Sequence, residues 1–449
     1  MEIRNKINTL FAATALCAAV ALNATEKYHA THLVFTYMGD PSTTLTANWQ
    51  LIGAMDEIVD GGARVYYDTV SREGDVDAYS NSATGIVFSI DGLTDRKVAR
   101  VELGGLEPDT TYYVCVVIDG MPVLPEVKVH TIPSDDSPIR FVTGGDMGVS
   151  EDTRILLKNA ATHDPMFAVI GGDIAYANGK LESVGKWDAW LNFYTQEMVT
   201  TDGFQIPIVL AIGNHEVMGG FNKPKEHAPF FFGFFGQDLE KSYFKRQFGE
   251  NLALLVLDSG HVTKHEAQVD WIRETLKQAE SVNYTSAVYH VPLYPSHRDF
   301  MGHFSDQGRQ YWAPVFDEFS LTVAFENHDH TFKRSHFIKN GKVAKKGEGT
   351  LYLGDGCWGR KTRPVDPDLR WYLDVAGAIQ HFWVVDVSTD KMVYRAVDIE
   401  NKVVDVYPQD ESGAKIASKR LNEKLAAINN PVDVAESSSL VTTEATSAD

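Results

Sequence analysis

The stretch FVTGGDMGVSEDTRILLKNAATHDPMFAVIGGD, residues 141–173, reads as an apolar strand, an amphipathic helix and a second apolar strand. Its middle, EDTRILLKNAATHD, spaces apolar residues at helical period, whereas FVTGGD and FAVIGGD are continuous apolar runs. Strands of that kind belong in a sheet covered on both faces. The texture persists downstream. KWDAWLNFYTQEM and HEAQVDWIRETLKQAE read as helices, and PIVLAIGN, LALLVLD, SAVYH, LTVAFEN and TLYLGDG as strands, before a closing hairpin HFWVVDVSTDKMVYRAVD. The fold class expected is α/β, with its site just beyond the carboxyl ends of the strands.

Upstream the pattern differs. Between residues 30 and 131, short alternating runs such as HLVFTYMGDPSTTLTANWQL, ARVYYDTV, TGIVFSI and TYYVCVVID are separated by turn residues. This predicts an N-terminal β-sandwich of about 100 residues, with Trp49, Tyr112 and Tyr113 as core aromatics. TIPSDDSPIR, rich in Pro, Ser and Asp, reads as the linker to a second domain over residues 138–402. The first 24 residues carry Arg4 and Lys6, an apolar run from Leu10 to Leu22, and small residues after it. That is the layout of a secretory signal peptide, so the protein is expected to be exported. Residues 430–449 are poor in apolar residues and read as a disordered tail.

Two domains fit the length of 449 residues. A formal net charge of -20 argues against nucleic acid, because no basic stripe exists to neutralise a phosphate backbone. Once the leader is set aside, only Cys115 and Cys357 remain, too far apart in sequence to suggest a disulfide framework.

The strand ends carry the chemistry. Asp146 follows the first strand and Asp173 the second, with Tyr176 three residues on; Asn214 and His215 follow PIVLAIG, His290 closes SAVYH, and His328 and His330 follow LTVAFEN. Taken singly, each has an ordinary reading: Asp146 and Asp173 as helix N-caps, Asn214 as a turn former, His290 as a core histidine. Taken together, five strand ends delivering Asp, Asn, Tyr or His point to metal. The set is too rich in ligands for one ion, and a bridging aspartate can hold two ions with a hydroxide between them. A tyrosine ligand binds as phenolate, which favours a trivalent ion such as iron.

In this order GGDMG, GGDIAY, GNHE, AVYH and NHDH resemble the five-block signature of the purple acid phosphatases, within the calcineurin-like metallophosphoesterases. The resemblance implies a two-sheet sandwich flanked by helices, preceded by a fibronectin-like module. It implies that Asp146, Tyr176 and His330 hold Fe(3+), that Asn214, His290 and His328 hold a divalent ion (Zn, Mn or Fe), and that Asp173 bridges them. His215 would assist the leaving group, and a metal-bound hydroxide would attack phosphorus in a phosphate monoester. His297 and His303 are substrate-binding candidates by position. One block departs from the pattern, with Asn327 where glycine is usual and Glu326 before it; Asn tolerates positive φ better than most residues.

Small-molecule phosphate esters are the expected partners, with a homodimer as the candidate assembly and no membrane contact beyond the signal peptide. The alternatives are a phosphodiesterase or nucleotidase of the same superfamily, or an exported binding module with a degenerate phosphoesterase domain.

Overall fold

The computed structural model describes residues 28–53, 62–366 and 368–429. The expected signal peptide and C-terminal tail lie outside the described residues. Between Tyr28 and His130 the regular elements among the described residues are all strands. One antiparallel sheet joins Tyr28–Thr36, Leu45–Gly53, Arg96–Leu103 and Ile86–Phe88, and a second is built around Ala63–Asp68 and Thr111–Ile118. Trp49 and Tyr112 are buried in this β-rich region, whereas Tyr113 is only half-buried. Successive strand residues face opposite ways, and Tyr112 takes the inner face.

From Ile139 onward two larger sheets pack face to face. The first has six strands in the order Ile208–Leu210, Phe167–Ile170, Ile139–Gly144, His381–Ser388, Lys391–Asp398, Val403–Tyr407. Its first three strands run parallel and the rest antiparallel. The second sheet has a parallel centre of Leu252–Val256, Tyr284–Val288, Val323–Phe325 and Thr350–Gly354. Phe141 meets Phe325 edge-on at 5.9 Å, and Phe167 stacks on Phe248 at 3.8 Å, so apolar inner faces close the seam.

Helices cover the outer faces. Glu151–Ala161 and Val184–Glu197 lie on the six-stranded sheet, and His265–Gln278 and Ala313–Phe319 on the other. The first of these buries Thr153, Leu156, Leu157, Ala160 and Ala161, one stripe at helical spacing. Its N-cap is Ser150, whose side chain accepts from the Thr153 amide, and its first turn carries Glu151 and Asp152. Asp146 is therefore not a cap.

The expected linker is docked rather than free. Thr131, Ile132 and Pro133 are buried, and the Thr131 hydroxyl donates to the Glu107 carbonyl at 2.7 Å. Buried polar contacts also tie the N-terminal strands to the larger domain. Arg100 donates to the Gly233 carbonyl at 2.7 Å, Arg246 to the Tyr37 carbonyl at 2.8 Å, and Arg96 pairs with Asp188. Regular structure also continues past residue 402. The strand Val403–Tyr407 completes the six-stranded sheet, and the helix Ala414–Asn429 packs Ala414 and Ala417 against Val393 and Val406.

Candidate metal centre

Both sheets deliver their functional residues at the carboxyl ends of parallel strands. Asp146, Asp173 and Asn214 follow strands of the six-stranded sheet, while His290, His328 and His330 follow strands of the other. The site straddles the seam. Asp146, Asp173, Tyr176, His328 and His330 all have φ between 52° and 78°. Positive φ is uncommon outside glycine and costs on the order of 1–3 kcal/mol, so such residues concentrate where function holds them.

The side chains form two touching groups. In one, His330 Nε2 lies 3.0 Å from Asp146 Oδ1, and the Tyr176 hydroxyl lies 3.3 Å from that oxygen and 3.2 Å from His330 Nε2. In the other, His290 Nε2 lies 3.1 Å from Asp173 Oδ2 and 3.0 Å from His328 Nδ1. One ligand atom from each of Asp146, Asp173, His290 and His328 can be chosen so that all four lie within 4.8 Å of one another. Asn214 Oδ1 is buried without a hydrogen-bond partner among the described residues. An orphaned buried acceptor at the same strand ends as two buried carboxylates is a donor set that a cation would satisfy.

Electrostatics agree. Burial alone would raise the Asp173 carboxyl, but the His290, His215 and His328 rings hold it well below the carboxylate range. Burial would lower His290, yet Asp173 and Asp146 push it up to about 9. The two carboxylates thus demand positive charge at this point of the cluster. Burial, then the His290 charge, keep His328 neutral, and burial, then Asp146 and Asp173, raise the Tyr176 phenol well above its ordinary value.

Neighbouring groups fix these side chains. His290 Nδ1 and His330 Nδ1 each meet a backbone carbonyl, of Gly171 at 3.0 Å and Lys361 at 3.3 Å. Glu216 accepts from the amides of Asp173, Ile174 and Gly213 at 2.7–2.9 Å, clamping two strand ends together. Asn327 does not take up the positive φ that a glycine there would suggest; His328 and His330 do. Its amide donates to the Tyr289 carbonyl at 2.9 Å and fills the space above Gly171, where any Cβ would overlap it. Glu326 is wholly buried against Lys333 and accepts from the Tyr289 hydroxyl at 2.8 Å and the Leu293 amide at 2.6 Å. Lys333 also reaches Asp355 at 3.1 Å.

His215 stands at the edge of the cluster. Its ring centroid is 4.1 Å from that of Tyr176, its Nδ1 bonds Asn178 Oδ1, and its Nε2 lies 3.8 Å from Asp173 Oδ2. The other two candidates are not brought in. His297 Nδ1 bonds the Pro364 carbonyl at 2.8 Å, and His303 is exposed at the start of the helix His303–Tyr311, its ring beside Phe304. Sequence reading missed His261, buried with its ring 5.6 Å from that of His290. It also missed Arg298, Arg360 and Arg363, whose positions follow no strand end. The GRKTR run at 359–363 is the signal that was there to find.

Residues 139–332 match the family model described as calcineurin-like phosphoesterase. Purple acid phosphatase 23 of Arabidopsis thaliana is 25% identical over 335 residues, covering 64% of this chain and 68% of that protein. Among solved structures, purple acid phosphatase PPD1 from yellow lupin superposes with a TM-score of 0.70 at 15% identity, covering 85% of this chain and 74% of that one. PhoD superposes at 0.66 with 11% identity, covering 91% and 100%. Fold, strand-end residues and relatives converge: residues 139–332 form a calcineurin-like phosphoesterase domain, and the chain is similar to purple acid phosphatases.

Proposed function

We propose that the protein is a metal-dependent phosphatase that hydrolyses phosphate monoesters. The observation that carries the reading is the approach of ligand-type residues across the sheet seam, in two groups centred on the buried charges of Asp146 and Asp173. In this reading Asp146, Tyr176 and His330 hold a ferric ion, Asn214, His290 and His328 hold zinc, manganese or iron, and Asp173 reaches both. Such a pair supplies charge neutralisation for the phosphate and acidifies a water for in-line attack on phosphorus.

The chain's own residues do the rest. Two backbone-anchored imidazoles, His290 and His330, cannot swing out of the cluster. The His215 amide donates to Asp173 Oδ1 at 2.7 Å, so the bridging carboxylate and the proton carrier move as one unit. Asn178 Oδ1 accepts a hydrogen bond from His215 Nδ1 and so turns Nε2 toward the cluster, where the doubly protonated ring would give its Nε2 proton to the departing oxygen and return to the neutral form. The signal-peptide reading adds that this chemistry takes place after export. Among the described residues no helix is long and apolar enough to cross a membrane.

Metal content, the visible spectrum and p-nitrophenyl phosphate hydrolysis test the reading together. The expected protein carries two metals per chain, loses activity to a chelator and regains it with iron plus a divalent ion. A tyrosinate-to-iron band should vanish in Tyr176→Phe. A metal-replete protein inert toward monoesters would sink the proposal, and higher kcat/KM on bis(p-nitrophenyl) phosphate would replace it with a diesterase.

A further inference from the structure

His261 is wholly buried beside the candidate metal centre, and both of its ring nitrogens are used. Nδ1 lies 3.0 Å from the Gly220 carbonyl and so carries the proton. Burial disfavours a charged ring, which leaves Nε2 as the acceptor of the Ser259 hydroxyl across 3.1 Å. The Ser259 oxygen in turn accepts from the Val291 amide at 2.9 Å. One ring therefore joins the loop after Asn214 to the residue after His290.

The joint is tight at each end. Gly220 lies against Asn214, whose Cβ is 3.7 Å from where a Cβ on Gly220 would stand. Further along that loop, the amides of Asn222 and Lys223 donate to the Gly260 and His261 carbonyls at 2.9 Å. Between them and Gly220, Phe221 lies over the His261 ring at 4.7 Å and meets His328 edge-on at 6.5 Å. The turn that carries His261 is itself pinned. Buried Asp258 accepts from the amides of His261, Val262 and Thr263 at 2.7–2.9 Å and from the Ser242 hydroxyl at 2.6 Å. Asn214, His290 and His328 are the residues read above as holders of the divalent ion. The two ring bonds of His261 run toward this group, not toward Asp146, Tyr176 or His330.

We propose that His261 is a positioning residue that sets the distance between Asn214 and His290, and with it the affinity of their half of the centre for its ion, while the other half is left unchanged. The inference rests on the metal reading above. The ring touches no substrate and carries no proton in this role; it holds two strand ends in register through Gly220 and Ser259. Side chains that orient ligands in this way are worth about 10–100-fold in metal affinity.

Zinc titration of the metal-free protein, read by competition with a metallochromic indicator, measures the effect apart from turnover. His261→Leu fills the space without either bond and should weaken zinc roughly tenfold or more. The loss should persist when His330 is already alanine and vanish when Asn214 is, because residues that act through one another are not additive. His261→Asn keeps a donor facing Gly220 and should recover most of the loss. Ser259→Ala breaks one link with little change of shape and should weaken zinc about threefold, which decides the matter alone should the leucine variant not fold. Unchanged affinity in Ser259→Ala and His261→Leu, an equal loss in the two alanine backgrounds, or no recovery in His261→Asn overturns the proposal. A parent protein that binds no zinc overturns it together with the metal reading. Zinc binding as expected, with no hydrolysis of any phosphate monoester, removes the phosphatase reading and leaves the role of His261 standing.

Discussion

Replacing Lys333 with methionine probes the support beneath the candidate metal ligands. Lys333 is fully buried, paired with Glu326 and 3.1 Å from Asp355, and it donates to the Tyr294 carbonyl at 2.6 Å. Burial pushes the Asp355 carboxyl well above its ordinary range, with Lys333 opposing, so the charges that need each other most are Lys333 and Glu326. Methionine keeps the length and removes the charge. The stranded Glu326 carboxylate has no solvent to turn to, and breaking a buried pair in this way costs about 3–5 kcal/mol. For a large domain about 2 °C is lost per kcal/mol, so the unfolding midpoint should fall by roughly 6–10 °C. Scanning calorimetry at one fixed scan rate and metal load measures it. The double variant Lys333→Met/Glu326→Gln should recover at least half of the loss, because the uncompensated charge has gone. A single-variant loss under about 2 °C, or strict additivity in the double, would refute the argument that charge pairing rather than shape is at stake.

Two further outcomes rest on the same physics of buried groups. Gly356 has φ +65°, and a Cβ there would overlap Asp146 Oδ2; Gly356→Ala should halve the metal content or worse by elemental analysis, while the metal-free unfolding midpoint moves only a few degrees. His381 is buried and held neutral, lowered by burial to about 4, against about 6.5 when unfolded. The unfolded chain therefore binds the extra proton between those values, and stability is lost as pH falls through that window. By pH 5 the loss attributable to this residue is roughly 2 kcal/mol, and a His381→Gln variant should show a correspondingly flatter midpoint between pH 7 and 5.

Much of the site was legible because it lies on local grammar. An apolar run followed by Gly-Gly-Asp announces both a buried strand and the turn at its end, as at Asp146 and Asp173, and the structure brings these two together with His290 and His328 from two further strand ends. What stayed hidden depends on distance in sequence. Nothing around Lys333 says that it lies buried against Asp355, and nothing in GRKTR says that Arg360 will lie over the ring of Tyr176. Those are products of how two sheets register. The departure at Asn327 was equally illegible: its side chain packs between strand ends, and the positive φ falls on the histidines after it. His297 and His303 were chosen by position in a loop, and a loop's path is the least local feature of all.

The seam gives the site a mechanical meaning. Each group of candidate ligands draws members from both sheets, Asp146 and Tyr176 facing His330, Asp173 facing His290 and His328. A cation bound in either group is then a cross-link between two layers whose inner faces meet through apolar side chains. It would act on the sandwich as a rivet acts on two plates, fixing how far one can slide over the other. Rivets also set tolerances: an inner-face residue far from the chemistry, such as Phe141 or Phe325, would tune the spacing of the ions through the thickness of the layer it fills.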